Sequence, residues 1–352
     1  MKTETGRRWV QASLLAAVRS NLSYWAAQSA AMLRREGSNL HSAVHYGLRL
    51  PPAHTQAARL LSQSFAVAIT QPAAWLPLYD HALRLKALPS KLLGSLLYQQ
   101  AVLLWQHGLA AEAARGFERS QRHAQRHSLP ALRIRSLIGL CLVHSQQPAK
   151  AERAARKLQA LLSRTRTKPA LRAQAYAALG TVAYFAKDHS QAAQHFTAAL
   201  QHTPAGLAQG QLHMLAGLCA HALGETDAAL RHYNAAARSL QQYGASAAQL
   251  ARVELLRATA HYHKTARGQQ VRLQPAIAAL QRAAELLNQA ETDSRSRAQL
   301  ENLLGRTYTR RGEVARGIQY LSSALELSEH SDPSLAADVF AALQELETNN
   351  PA

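Results

Sequence analysis

Residues 173–204, AQAYAALGTVAYFAKDHSQAAQHFTAALQHTP, read as two helices joined by a tight turn. Apolar and small side chains recur three and four positions apart in both halves, the spacing that places them on one helix face. Tyr176 and, after two residues, Leu179-Gly180 mark the first helix; Ala192, Phe196, Ala199 and Leu200 mark the second, and Pro204 closes it. Gly180 and Ala192 are small enough to let the helices approach, while Tyr176, Leu179 and Phe196 fill the space between them. Pro204 lacks a backbone donor and stops the second helix.

The same register recurs, and one hairpin becomes an array. Ala113 with Phe117 and Ala229 with Tyr233 repeat the pairing of a small residue with an aromatic four positions on. Ala276 with Leu280 and Gly317 with Leu321 are looser copies, and Ala151 with Ala155 is a degenerate one. From Ala113 onward the intervals are 38, 41, 37, 47 and 41 residues. Gly108, Gly224 and Gly312 precede three of the second helices, where a compact connection favours a residue free to take positive φ. Leu304-Gly305 with Tyr308 repeats the first-helix pattern, with Glu301 in place of the usual aromatic.

This pattern resembles the tetratricopeptide repeat (TPR), whose unit is a helix–turn–helix of about 34 residues. The longer intervals here imply longer helices or extended loops, and the 47-residue interval points to an insertion over Thr265–Leu273. One departure is Tyr184, which follows Gly180 one residue later than the family pattern. In spacing the array is similar to the helical arm of MalT-type signalling regulators and to the helical domains of peptide-sensing Rap-type regulators. The resemblance covers about residues 90–330. It implies an all-α fold, a right-handed superhelical solenoid of TPR-like helical hairpins.

The ends extend that expectation. Residues 90–332 hold about six repeats, and residues 333–352 a C-terminal capping helix and tail. In that helix Leu335, Val339, Phe340, Leu343 and Leu346 form the apolar side, with Asp338, Glu345 and Glu347 turned outward. Residues 1–89 are expected to be helical too, as an N-terminal cap or diverged repeats, with breaks near Gly37-Ser38-Asn39, Pro51-Pro52 and Pro72. The first helix is expected to place Val10, Leu14, Val18, Leu22 and Trp25 on one face.

Composition agrees. Of 352 residues 47% are hydrophobic, enough for a packed core, and Val and Ile never cluster as strands require. Cys141 and Cys219 sit singly in apolar helical patterns without the spacing of metal or redox motifs, so both are expected as reduced core residues in a cytoplasmic protein. No apolar stretch reaches the roughly 20 residues a bilayer requires, so no membrane span is expected.

Charge is the outlying property. Residues 1–172 carry 25 Lys and Arg against 6 Asp and Glu, which is the whole net charge of +19, while residues 173–352 carry 15 of each. Within the basic half, residues 115–172 hold 14 basic and 2 acidic residues. This asymmetry points to nucleic acid or an acidic protein as a partner of that segment.

Catalytic signatures are absent from the sequence: it holds no phosphate-cradling glycine motif, HExxH, nucleophile elbow or convincing helix-turn-helix. His41 and His45, and His123 and His127, have the i, i+4 spacing of metal pairs but lack a Cys or carboxylate partner, so no metal or other cofactor is expected. Two surfaces remain. The resemblance implies a concave groove for a partner protein or peptide, lined by the first helix of each repeat. By register it takes in Tyr98, Trp105, Arg133, His144, Tyr184, Phe185, Met214, His221, His261, Tyr262, Asn302, Arg306 and Arg310. The second surface is the row Arg115, Arg119, Arg122 and Arg126, continued by Arg153, Arg156 and Lys157 on the next second helix and by Arg164, Arg166 and Lys168 beyond it. No aromatics are interleaved for stacking on bases, which argues against sequence-specific reading of nucleic acid. The sequence therefore points to a non-enzymatic scaffold or sensor, with a nucleic-acid-associated protein as the alternative.

Overall fold

The structure, a computed structural model, describes residues 2–266, 273–289 and 294–349. It divides into two compact units, Met1–Phe185 and Ala186–Ala352. All regular structure among the described residues is helical. The N-terminal unit contains α1 (Lys2–Ala26), α2 (Ala30–Arg35), α3 (Gly37–Arg49), α4 (His54–Gln63), α5 (Phe65–Ala68), α6 (Pro72–Arg84), α7 (Ser90–Gln106), α8 (Ala110–Arg126), α9 (Pro130–Val143), α10 (Pro148–Arg164) and α11 (Pro169–Phe185). The C-terminal unit contains α12 (His189–His202), α13 (Leu207–Ala222), α14 (Thr226–Gln242), α15 (Ala247–Ala266), α16 (Gln274–Asn288), α17 (Ser294–Arg311), α18 (Val314–Ser328) and α19 (Pro333–Asn349).

Local chemistry sets the helix ends. Pro130, Pro148 and Pro275 sit in first turns, where their missing donor costs nothing. Asp188 caps α12 by accepting a hydrogen bond from the Gln191 amide at 2.9 Å. The turns Gly108, Gly224 and Gly312 have φ of 82°, 79° and 94°, the left-handed geometry expected from the sequence. Five residues before Ala192, in the same register, that conformation is forced on Lys187, at φ 65°.

In the N-terminal unit α7 and α8 form a hairpin, α9 packs on α8 and α10, and successive first helices α7, α9 and α11 touch. Phe117 is buried at the centre, and a Cβ added to Gly139 would meet its ring at 2.5 Å. Glycine there is what admits the aromatic between α8 and α9. Upstream, α3 pairs with α4, α6 with α7, and α1 lies over α3 and α4 around buried Leu22, Trp75 and Tyr79. The first helix buries only the later part of its expected apolar face: Leu22 and Trp25 are inside and Val18 is half-buried, but Leu14 is 53% exposed. The side chain of Val10 lies outside the described residues. The breaks come at Glu36 between α2 and α3, at a short 3-10 turn over Pro51–Ala53, and before Pro72.

In the C-terminal unit α13–α14, α15–α16 and α17–α18 are the hairpins, each second helix packing on the next first helix. The small-to-large logic holds here as well. A Cβ on Gly217 would run into the Tyr233 ring, and one on Gly305 would meet Leu321 at 2.6 Å. Polar latches recur ten residues after the small residue: His123 Nε2 lies 2.8 Å from the Ser90 carbonyl, and Ser239 Oγ donates to the Gly206 carbonyl at 3.0 Å. In α19 Val339 is buried while Phe340, one residue round the helix, is 51% exposed and stands apart from the expected packed side. Helix α15 runs to Ala266, and most of the expected insertion, residues 267–272, lies outside the described residues. Cys141 and Cys219 are buried free thiols, and burial pushes them up to about 12 and about 11 respectively, so neither is a reactive thiolate.

Candidate functional site

Successive first helices α13, α15 and α17 touch one another along one face of the C-terminal unit, while the second helices stand on the other. Between α15 and α17 lies an open cavity of about 550 Å³. Helix α15 contributes Arg252, Leu255, Leu256 and Thr259, and α17 contributes Arg295, Ser296, Gln299, Asn302 and Leu303. Each set recurs at helical three- and four-residue steps, so among the described residues two helical faces converge to form the cavity. Leucines supply apolar wall, and Thr259, Gln299 and Asn302 supply hydrogen-bonding groups.

Asn302 is 8% exposed, its Oδ1 accepting from Arg306 Nε at 2.9 Å. Arg306 reaches on to Asp338 at 2.9 Å, and Arg310 lies over the Tyr262 ring at 4.9 Å. The stripe Arg295, Gln299, Asn302, Arg306, Arg310 therefore runs along α17, with Tyr262 and Arg310 joined beyond the cavity. Arg252 has no ion pair among the described residues, whereas Arg295 pairs with Asp332 at 2.9 Å. The acid nearest in sequence to Arg252, Glu254, is buried between Arg257 at 2.6 Å and Arg282 at 3.0 Å.

The residues expected from the sequence fall into separate groups. In the C-terminal unit Asn302 lines the cavity, and Tyr262, Arg306 and Arg310 continue its walls. Met214 on α13 packs into the core beside Tyr233. The His221 ring lies 5.2 Å from that of His263, and His261 is half-buried, its pKa lowered chiefly by burial and then by Arg257 and Lys264. In the N-terminal unit Trp105 is exposed, but Tyr98 packs its ring 5.8 Å from Phe117, with its pKa raised by burial. Arg133 is half-buried with Nε unpartnered. His144 follows α9, and its pKa is lowered by burial and by Lys150. Tyr184 and Phe185 end α11 edge to face at 5.9 Å, and Phe185 is exposed. Arg252, Leu256, Thr259, Arg295, Gln299 and Leu303 were not expected, although each lies on the same helical face one to three turns upstream of an expected residue.

The basic row stands on the second helices α8 and α10, away from the first-helix face. Arg115, Arg119, Arg122, Arg126, Arg153, Arg156 and Lys157 are all exposed. Arg115 pairs with Glu112 and Arg156 with Glu152, both within one helix. Of the histidine pairs, His41 Nε2 lies 3.1 Å from the Ala74 carbonyl and His123 bonds Ser90, so each serves as a donor between helices. Among the described residues no group of three His, Cys, Asp or Glu is placed to hold a metal. No described helix is long and apolar enough to cross a membrane.

No protein-family model matches the chain, and no curated protein matches its sequence. Solved structures do. The apo form of the quorum sensor NprR from B. thuringiensis is 13% identical with a TM-score of 0.64, covering 88% of this chain and 86% of that one. The apo form of RapI is 11% identical with a TM-score of 0.62, covering 95% and 98%. PH0952 from Pyrococcus horikoshii, a signal transduction ATPase with numerous domains and a tetratricopeptide repeat sensor, is 12% identical with a TM-score of 0.63. It is matched over 90% of this chain but only 50% of its own length. With the hairpin register, the turn glycines and the small-to-large contacts, these likenesses identify the fold: the chain is a TPR-type helical repeat protein.

Proposed function

We propose that this protein is a non-enzymatic scaffold or sensor of the cytoplasm that holds a partner protein or peptide against its first-helix face. Residues 90–332 act as the repeat array, with residues 1–89 and 333–352 as its caps. The observation that carries this reading is the cavity of about 550 Å³ between α15 and α17. Its volume falls in the range of ligand sites, and its walls combine aliphatic surface with a few convergent polar groups. Both walls are helices held by their own hairpins, so the receptor is ordered before its partner arrives. Similarity to proteins described as a quorum sensor and a tetratricopeptide repeat sensor supports the same reading.

The test is capture by the full chain. Affinity purification from the native host with wild type and with a Thr259→Arg, Leu303→Glu variant should recover a partner with the first and lose it with the second. A partner retained equally by both would overturn the assignment to this groove. The exposed basic row on α8 and α10 supports a second contact, with an acidic protein surface, and Arg119→Glu with Arg122→Glu should abolish any strongly salt-sensitive part of the capture.

A further inference from the structure

Among the described residues the four most exposed large hydrophobic side chains are Tyr46, Leu14, Tyr24 and Phe340, each more than half in water. They fall in two places. Leu14 and Tyr24 stand on α1 and Tyr46 on α3, and between these helices lies an open cavity of about 570 Å³. Leu14, Val18 and Trp25 line one wall, and Ala43, Tyr46 and Leu50 the other. Each wall runs for about three helical turns, or about 16 Å. Phe340 is on α19, with Ala337 and Ala341 exposed beside it one turn away and next in sequence. A terminal helix that only capped the array would turn a polar face outward. This one shows an apolar knob between two small residues, and contiguous exposed apolar surface marks a site of interaction.

Charge says what covers the cavity. Residues 14–50 hold four arginines against one acid, Glu36, which already accepts from Asn39 Nδ2 at 2.9 Å. Arg49 lines the cavity at the C-terminal end of α3, exposed and with no ion pair among the described residues. Residues 317–352 hold six acids and no Lys or Arg. On α19 Asp338 pairs with Arg306, while Glu345, one turn beyond Ala341, is exposed and has no ion pair among the described residues. We infer that the α1–α3 groove docks α19 of a second copy of this chain, with Phe340 entering between Val18 and Tyr46 and Glu345 meeting Arg49. Ala337 and Ala341 let the backbone of α19 close on the groove, the mode in which a helix is read through residues three and four apart. Laid parallel to α3, α19 carries Glu345 toward Arg49, since each charge lies C-terminal to the aromatic of its own helix. The contact is heterologous, groove against helix, unlike a face that meets its own image.

Heterologous pairing makes a distinctive prediction for mixtures. Phe340 and Tyr46 are exposed, so Phe340→Glu and Tyr46→Glu leave the core intact, which circular dichroism checks. Sedimentation equilibrium of the full chain should give a mass that climbs above the monomer as wild type is concentrated, and climbs less as salt screens Arg49 from Glu345. Each variant alone should stay at the monomer mass. Mixed in equal amounts the two should form a dimer and stop there, because the Phe340→Glu copy keeps its groove and the Tyr46→Glu copy keeps its helix. Loss of association in each variant with no recovery in the mixture would mean that like faces meet, and would overturn the inference. So would variants that associate as wild type does. A wild type that stays monomeric at every concentration would overturn it as well, and would leave the groove to a different occupant.

Discussion

The two units are built on one hairpin chemistry and spend their charges in opposite ways. Up to Phe185 the chain has 25 basic residues against 6 acidic, and the ion pairs described there, Arg115 with Glu112 and Arg156 with Glu152, link residues of a single exposed helix. Beyond it the numbers are equal, and alongside the local pairs of Glu254 with Arg257 and of Glu313 with Arg311 and Arg316, four pairs join residues far apart in sequence: Lys264 to Asp227, Arg282 to Glu254, Arg295 to Asp332, Arg306 to Asp338. Surface pairs within a helix contribute little to stability. The apolar register carries the fold in both units, while charge is left largely exposed and unpaired in the first and more often joins distant parts of the chain in the second.

If the apolar register is common to both, deleting its central aromatic should be equally damaging in either. Phe117→Ala and Tyr233→Ala each remove a side chain 1% exposed, and each should cost about 3–5 kcal/mol in urea unfolding. A loss below about 1 kcal/mol at either site would show that its hairpin is not held by the small-to-large contact. The charge contrast comes next in size. Glu254→Gln leaves Arg257 and Arg282 without their buried acid and should cost about 1–3 kcal/mol, less than for a fully enclosed pair because Arg282 is half exposed. Glu112→Gln in the first unit should change stability by no more than about 0.5 kcal/mol. Equal effects would erase the distinction.

How much of this is legible in the sequence follows from what packing demands. The positions that touch across a hairpin are constrained in size, so Ala113, Ala192, Ala229 and Gly317 with their large partners could be found by eye, and with them the fold. Binding walls carry no such constraint. Arg252, Thr259 and Gln299 are ordinary surface residues for a helix, and only the convergence of α15 on α17 makes them a site. Conversely, Tyr98 and Met214 satisfy the family's groove register but pack inward, because an aromatic or flexible side chain at a helix flank gains more from a neighbouring core than from water. Phe340 shows the limit of periodicity at a chain end, where 335, 339, 342 and 346 suffice for contact and the residue beside them is left outside.

The turn register offers a smaller effect of known sign. Lys187 occupies in the quoted hairpin the place held by Gly108, Gly224 and Gly312 in others, and its φ of 65° costs an L-residue about 1 kcal/mol or slightly more. Lys187→Gly should therefore stabilise the protein, although glycine's freedom in the unfolded chain takes back part of the gain. Gly224→Lys should do the reverse. Thermal denaturation of the two variants tests the register directly, since an unchanged or lowered Tm for Lys187→Gly would mean that the turn is not strained as described.

Acid should separate the units further, by the smallest margin of all. His213 on α13 and His232 on α14 face each other with Nδ1 atoms 3.2 Å apart, so one neutral ring donates to the other. The pKa of His213 is lowered by burial and then by His232 and Arg238; that of His232 by burial and then by Arg231. A histidine whose folded pKa lies below its unfolded value of about 6.5 binds its proton more readily in the unfolded chain, so its stability contribution is complete above that pH and is lost as the pH falls through and below it. Between pH 7.5 and 5.5 the Tm of wild type should therefore drop. In His213→Asn with His232→Asn the drop should be shallower, whatever the substitutions do to Tm at pH 7.5. A slope unchanged by the double substitution would move the acid sensitivity to other histidines, of which His261, lowered chiefly by burial and then by Arg257 and Lys264, is the next to replace.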